Sequence, residues 1–229
     1  MTTWGVLFDI GGPIDMETAR ESLIDAHIRA AVEQQGLVVT DEQYTVANDR
    51  AVASFARDAY AAIIWQLTDR NPSVARAVYQ AFRSRDAERQ FFELRPGIAE
   101  LLAELHHRGL HLGLAANQPY TTLAKLDDLG VGQYFHHREV SGVHGFHKPD
   151  TRLFLRACQD LSVEPSQCIM VGDRIDNDIV PGVVLGMQTI RFRAGRHAQQ
   201  QPRDWTEIPD VEVGSVSELR KALAVLTVA

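Results

Sequence analysis

Cysteine is nearly missing from this chain of 229 residues: it occurs twice, at Cys158 and Cys168. Two such residues do not make a disulfide framework, and they fit a reducing cytoplasm. Lysine is confined to Lys125, Lys148 and Lys221, and residues 14 to 95 contain none. No apolar run approaches the roughly 18 residues that a membrane helix requires. The opening MTTWGVLFDI has neither a basic segment nor a long apolar one, so no export signal is expected. An excess of positive charge is also lacking: the net charge is −7 and the isoelectric point is near 5.7. That balance argues against a nucleic-acid groove or an anionic membrane surface as the main partner. It does not exclude a small phosphate, because a bound cation can set the local field.

What is present is the balance of a globular protein, 45% hydrophobic and 23% charged. The length allows one ordinary core plus a smaller accessory domain. Two apolar runs stop at carboxylates beside glycine. The run from Trp4 to Phe8 ends at Asp9, followed by Gly11, Gly12 and Pro13; the run from Cys168 to Gly172 ends at Asp173, followed by Asp176, Asn177 and Asp178. Each reads as a buried strand, and in a parallel sheet such strand ends share the edge where ligands bind. Acids converging there would repel one another without a cation. The pattern therefore points to a hard, oxygen-ligated divalent metal, Mg²⁺, with one aspartate left for chemistry.

The remainder of the chain falls into two kinds of pattern. After a strand over residues 4 to 10, the stretch from Met16 to Arg89 is helical throughout, with breaks at Gly36 and at Asn71-Pro72. Beyond Leu94-Arg95-Pro96-Gly97 helices and strands alternate: a helix from Ile98, a strand from Leu110 to Ala116, a helix near Thr121 to Leu129, a short strand at His136 to Val140, a helix from Asp150, a strand from Ile169, a helix near Ile179, a strand from Gln188 to Phe192 and a helix from Ser217. Alternation of this kind specifies a parallel sheet with right-handed crossovers. The expected fold is α/β, a three-layer Rossmann-like core of residues 1–14 and 95–229 with an inserted α-helical domain over residues 15–94.

These motifs, in this order, resemble the haloacid dehalogenase superfamily in the branch whose helical cap follows the first strand. They are Phe8-Asp9-Ile10-Gly11-Gly12, the Arg95-Pro96-Gly97 re-entry, Ala116-Asn117 after the second core strand, Lys148-Pro149-Asp150, and Gly172-Asp173 with Asn177-Asp178. The resemblance covers nearly the whole length. It implies that Asp9 is a nucleophile forming a covalent aspartyl intermediate, that Lys148 holds the nucleophile and the transferred group together, and that Mg²⁺ is ligated by Asp9, the Gly11 carbonyl, Asp173 and Asp178. Gly12, Ala116, Asn117 and Lys148 are the corresponding phosphate-binding positions, with Asn117 an amide donor. Asp176 is an extra acid that reads as a turn or capping residue.

Two positions depart from the pattern. Most phosphatases of the superfamily have a second aspartate two residues after the nucleophile, which protonates the leaving oxygen; here it is Gly11. The family's Ser or Thr after the second core strand is Ala116. His147 is a possible substitute acid, since imidazole titrates near neutrality. Phosphonoacetaldehyde hydrolases also lack the second aspartate but use a cap lysine, which residues 14 to 95 do not offer. The expectation is a Mg²⁺-dependent phosphatase acting on a small phosphorylated metabolite. The alternatives are a 2-haloacid dehalogenase-like hydrolase and a catalytically impaired binding or regulatory protein. The expected partners are a small phosphate ester or haloacid, with neither nucleic acid nor membrane. The expected setting is the cytoplasm, as monomer or homodimer.

Overall fold

Five short stretches pair side by side into one parallel sheet, ordered β2-β1-β3-β4-β5. These are β1 (Gly5–Phe8), β2 (His111–Leu114), β3 (Cys168–Gly172), β4 (Gln188–Phe192) and β5 (Val211–Val213). The computed structural model describes residues 4–86 and 91–227. The inner strands β1 and β3 are buried along their whole length, as continuous apolar runs in a sheet covered on both faces require. Register fixes the functional edge. Phe8 pairs with both Leu114 and Val171, so the residues that follow all three strands emerge together. Two further hydrogen bonds extend the pairing to this edge: Asp9 N–H donates to Val171 C=O at 2.8 Å and Ala115 N–H to Phe8 C=O at 2.8 Å.

The chain divides into two compact units. The sheet unit comprises Met1–Met16, Glu93–Ala198 and Pro202–Ala229. Its helices are α5 (Ile98–His107), α6 (Thr122–Asp128), the short α7 (Ser141–His144), α8 (Thr151–Leu161), α9 (Val180–Val184) and α10 (Val216–Leu226). The apolar stripe of α8, including Leu153, Phe154 and Leu161, packs with Leu7 and Met170 of the central strands.

The second unit, Glu17–Phe92 with Gln199–Gln201, contains α1 (Thr18–Glu33), α2 (Asp41–Ala53), α3 (Ala59–Leu67) and α4 (Pro72–Arg83). Its helix starts are set by side chains. Thr40 and Gln43 form a reciprocal capping box, Asp58 caps α3, and Asn71 caps α4 with Pro72 in the first turn. Ile28, Ile63 and Phe82 lie at the centre of its own apolar core. No helix among the described residues is long and apolar enough to cross a membrane.

Two local expectations change. The strand foreseen at His136–Val140 is reduced to one isolated bridge between Gly113 and His137, because the chain turns on through Arg138 and Glu139 into α7. The edge strand β5 escapes a periodicity reading, since three residues show no pattern; it is held by pairing with β4.

Candidate active site

Asp9, Asp173 and Asp178 converge at the strand ends, each offering a carboxylate oxygen within 4.8 Å of the others. Asp9 follows β1, where its Oδ1 accepts from Ile10 N–H at 2.7 Å. Asp173 follows β3. Asp178 is brought back by a single π-turn, Ile175–Ile179, and its Oδ2 accepts from Arg174 N–H at 3.0 Å. This return demands Gly172, because a Cβ there would lie 2.3 Å from Asp178 Cγ. Gly12 serves the same end: its φ is 82°, and a Cβ on it would meet Asp173 Cβ at 2.8 Å.

One buried cation answers these acids. Lys148 Nζ lies 2.8 Å from Asp9 Oδ2 and 2.5 Å from Asp178 Oδ1. Burial opposes its charge, but Asp178 and Asp9 outweigh burial and hold the ammonium above its ordinary pKa. The carboxylates are under the opposite pressure. Burial, with Asp178 and Asp9 adding to it, raises Asp173 well above the usual carboxylate range. Burial also pushes Asp178 up to about 6; Lys148 opposes this shift and Asp9 reinforces it. Once ionised, three buried acids outnumber the one lysine bonded to them, and Arg174 near Asp173 offsets only part of the excess. A hard divalent cation with oxygen ligands fits that donor set.

Three other residues keep the site in shape. The amide of Asn117 is spent on the backbone of Lys148, donating to its carbonyl at 3.1 Å and accepting from its N–H at 2.7 Å. Arg95 donates through Nε to Gly12 C=O at 2.6 Å and lies over the Phe192 ring at 4.7 Å. Asp15 is buried and accepts from Glu93 N–H at 2.9 Å, where the chain leaves and re-enters the sheet unit. Sequence reasoning missed the roles of Arg95 and Asp15. The acid in an apolar stretch was a signal for Asp15; the Arg95-Pro96-Gly97 motif marked the position of Arg95 without showing what it binds.

Gly11 is buried and bridges to Asp15, and the positive φ of this turn falls on Gly12. Ala116 is fully buried and its carbonyl accepts from Ser141 N–H at 3.0 Å. Asp176 pairs with Arg174, Oδ2 to Nη2 at 2.6 Å, and so stands apart from the carboxylate group. His147 is exposed, and its carbonyl accepts from Asp150 N–H at 2.9 Å.

The model of the haloacid dehalogenase-like hydrolases matches residues 4–186, a span that holds Asp9, Lys148, Asp173 and Asp178. The chain belongs to that family. Among relatives of this haloacid dehalogenase-like chain, the N-acetylmuramic acid 6-phosphate phosphatase of Pseudomonas aeruginosa is 31% identical over 205 residues, covering 87% of this chain and 86% of that one. The glyceraldehyde 3-phosphate phosphatase of Methanopyrus kandleri is 30% identical over 152 residues, covering 66% of this chain but 64% of its own length. The chain thus spans less than two thirds of that relative. The HAD-hydrolase YfnB of Bacillus subtilis, in a crystal structure bound to magnesium, shares the fold with a TM-score of 0.70 at 22% identity, covering 97% of this chain and 99% of the other.

Proposed function

We propose that this haloacid dehalogenase-like protein is a Mg²⁺-dependent phosphatase acting on a small phosphorylated metabolite, with Asp9 as nucleophile. The observation that carries the reading is the Asp9 carboxylate, held 2.8 Å from Lys148 Nζ within a group of three acids at the strand ends. The phosphatase relatives named above support the reaction class.

In this reading the ionised Asp9 attacks phosphorus and takes the phosphoryl group as an aspartyl phosphate, which water then hydrolyses. Lys148 holds the attacking carboxylate and pairs with the transferred oxygens. Backbone N–H groups of Gly11 and of the Ala116–Asn117 segment supply donors where the side chain of Ala116 supplies none, the N–H of Gly12 being bonded to Asp15 C=O at 2.9 Å. Asp9, Asp173, Asp178 and the Gly11 carbonyl are the proposed Mg²⁺ ligands. Mg²⁺ bound there offsets the charge of the phosphate. Residues 15–94 are assigned the part of a cap domain that selects the substrate, and the two buried free cysteines suit a cytoplasmic setting.

A panel of phosphate monoesters and 2-haloacids, assayed with Mg²⁺ and again with chelator, tests this. The expected result is phosphate release that chelation abolishes. Halide release from 2-haloacids, or phosphate release indifferent to chelator, would overturn it.

A further inference from the structure

We infer that the substrates of this site are activated phosphates, those whose leaving oxygen departs as an anion far less basic than an alkoxide: acyl, enol or aryl phosphates rather than phosphates of simple alcohols. The inference rests on the phosphatase reading and adds a leaving-group requirement to it.

The argument starts from Gly11, which is buried two residues beyond the nucleophile and has no side chain to give a proton. The polar side chains described around it are engaged in holding the site together. Both amide atoms of Asn117 face the backbone of Lys148, and Arg95 Nε is bonded to the Gly12 carbonyl. Asp178 is bonded through both oxygens, to Lys148 Nζ and to Arg174 N–H. His147 is exposed and Ala116 has no hydroxyl. Asp15, bridged to Gly11 through the backbone, is buried and accepts from Glu93 N–H at 2.9 Å. Each of these side chains is therefore bonded within the site, exposed or without a proton to give.

The chemistry then sets the substrate class. When an Asp9 oxygen bonds to phosphorus, the bond from phosphorus to the leaving oxygen breaks and its electron pair departs on that oxygen. Phosphoryl transfer has a loose transition state, so this negative charge is well developed at the barrier. An alkoxide needs a proton at that point, and general-acid help is worth ~10²–10⁴-fold. A carboxylate, enolate, phenolate or phosphate anion leaves without it. In the second step water attacks the aspartyl phosphate, Asp9 regains its carboxylate, and the proton lost by water is carried off on the phosphate product. Phosphoserine and glyceraldehyde 3-phosphate are alkyl phosphates, so the inference sets this chain apart from substrates of that kind.

The test uses this chain of 229 residues with Mg²⁺ on four probes: acetyl phosphate, p-nitrophenyl phosphate, phosphoserine and glyceraldehyde 3-phosphate. The first two are expected to exceed the last two in kcat/KM by about 10²-fold or more. Gly11→Asp is the internal comparator, since it restores a carboxylate at a position outside the positive-φ region; it should narrow that gap by about tenfold or more. The wild-type comparison decides the matter even where the variant does not fold. Equal kcat/KM on alkyl and activated probes overturns the leaving-group requirement and leaves the phosphatase reading standing. No turnover of any probe overturns the phosphatase reading and this inference together.

Discussion

Asn117 brackets the backbone of Lys148, its Oδ1 2.7 Å from the Lys148 nitrogen and its Nδ2 3.1 Å from the Lys148 oxygen. The pair joins the end of β2 to the loop before α8 and fixes the point from which Nζ reaches Asp9 and Asp178. Each such hydrogen bond contributes about 1 kcal/mol. Asn117→Ala should therefore lower kcat by roughly ten- to a hundredfold if both bonds are lost. The same change in a Lys148→Ala background should cost little more, because Asn117 acts through the lysine. A double-mutant cycle in kcat checks this; additive losses would show that Asn117 acts on the transferred group directly.

Gly12 and Gly36 separate steric clash from backbone strain. Both have positive φ, 82° and 77°, but a Cβ on Gly12 meets Asp173 at 2.8 Å whereas one on Gly36 meets nothing within 4 Å among the described residues. Gly36→Ala should cost about 1–2 kcal/mol, the strain of a left-handed residue. Gly12→Ala should cost a further 1–3 kcal/mol or so from overpacking, and should weaken Mg²⁺ binding by moving Asp173. Denaturant titration of both variants, with calorimetry for Mg²⁺, provides the comparison. Equal destabilisation by the two changes would contradict the packing assigned to Gly12.

Protons and metal should compete for the acidic group. Asp178 is pushed up to about 6, so the folded metal-free protein binds a proton that the unfolded chain has released. A raised carboxylate pKa means stability that is fully present below the unfolded value, about 4, and lost as pH rises through the folded value. Asp173 is raised as well and acts in the same direction. In chelator Asp178 should cost stability between about pH 4 and 6, and Asp173 should add to the loss as pH rises. Mg²⁺ should restore it, with a larger thermal shift at pH 8 than at pH 5 because ligation requires the deprotonated acids. Asp173→Asn should raise the melting temperature of the metal-free protein at pH 8 and abolish most of the Mg²⁺ shift. An undiminished shift in that variant would contradict ligation by Asp173.

The parts of this site legible in the sequence are those where one local pattern sufficed. An apolar run that stops at an acid beside glycine located Asp9 and Asp173, and the alternation of helix and strand put both at one sheet edge. Lys148 was readable because lysine is so rare in this chain. What the sequence could not show are bonds between distant segments. Asn117 was expected as a donor to the phosphoryl group, yet its amide faces a backbone 31 positions away. Arg95 belongs to a motif, yet nothing in that motif names its partner, a carbonyl 83 positions earlier. The edge strand β5 was invisible for a related reason, since only its pairing with β4 distinguishes Val211–Val213 from the loop before it.

The central claim is that Asp9 carries the phosphoryl group. With no acid–base side chain at Gly11 to hasten hydrolysis, an aspartyl phosphate formed from an activated probe should persist long enough to trap. The direct measurement is acid quench of the protein turning over acetyl phosphate with Mg²⁺, followed by mass spectrometry of its peptides. The account predicts a phosphoryl group on the peptide containing Asp9, absent when Asp9→Asn is treated in the same way. Turnover at the wild-type rate by Asp9→Asn, or a phosphoryl group recovered on a different residue, would contradict it.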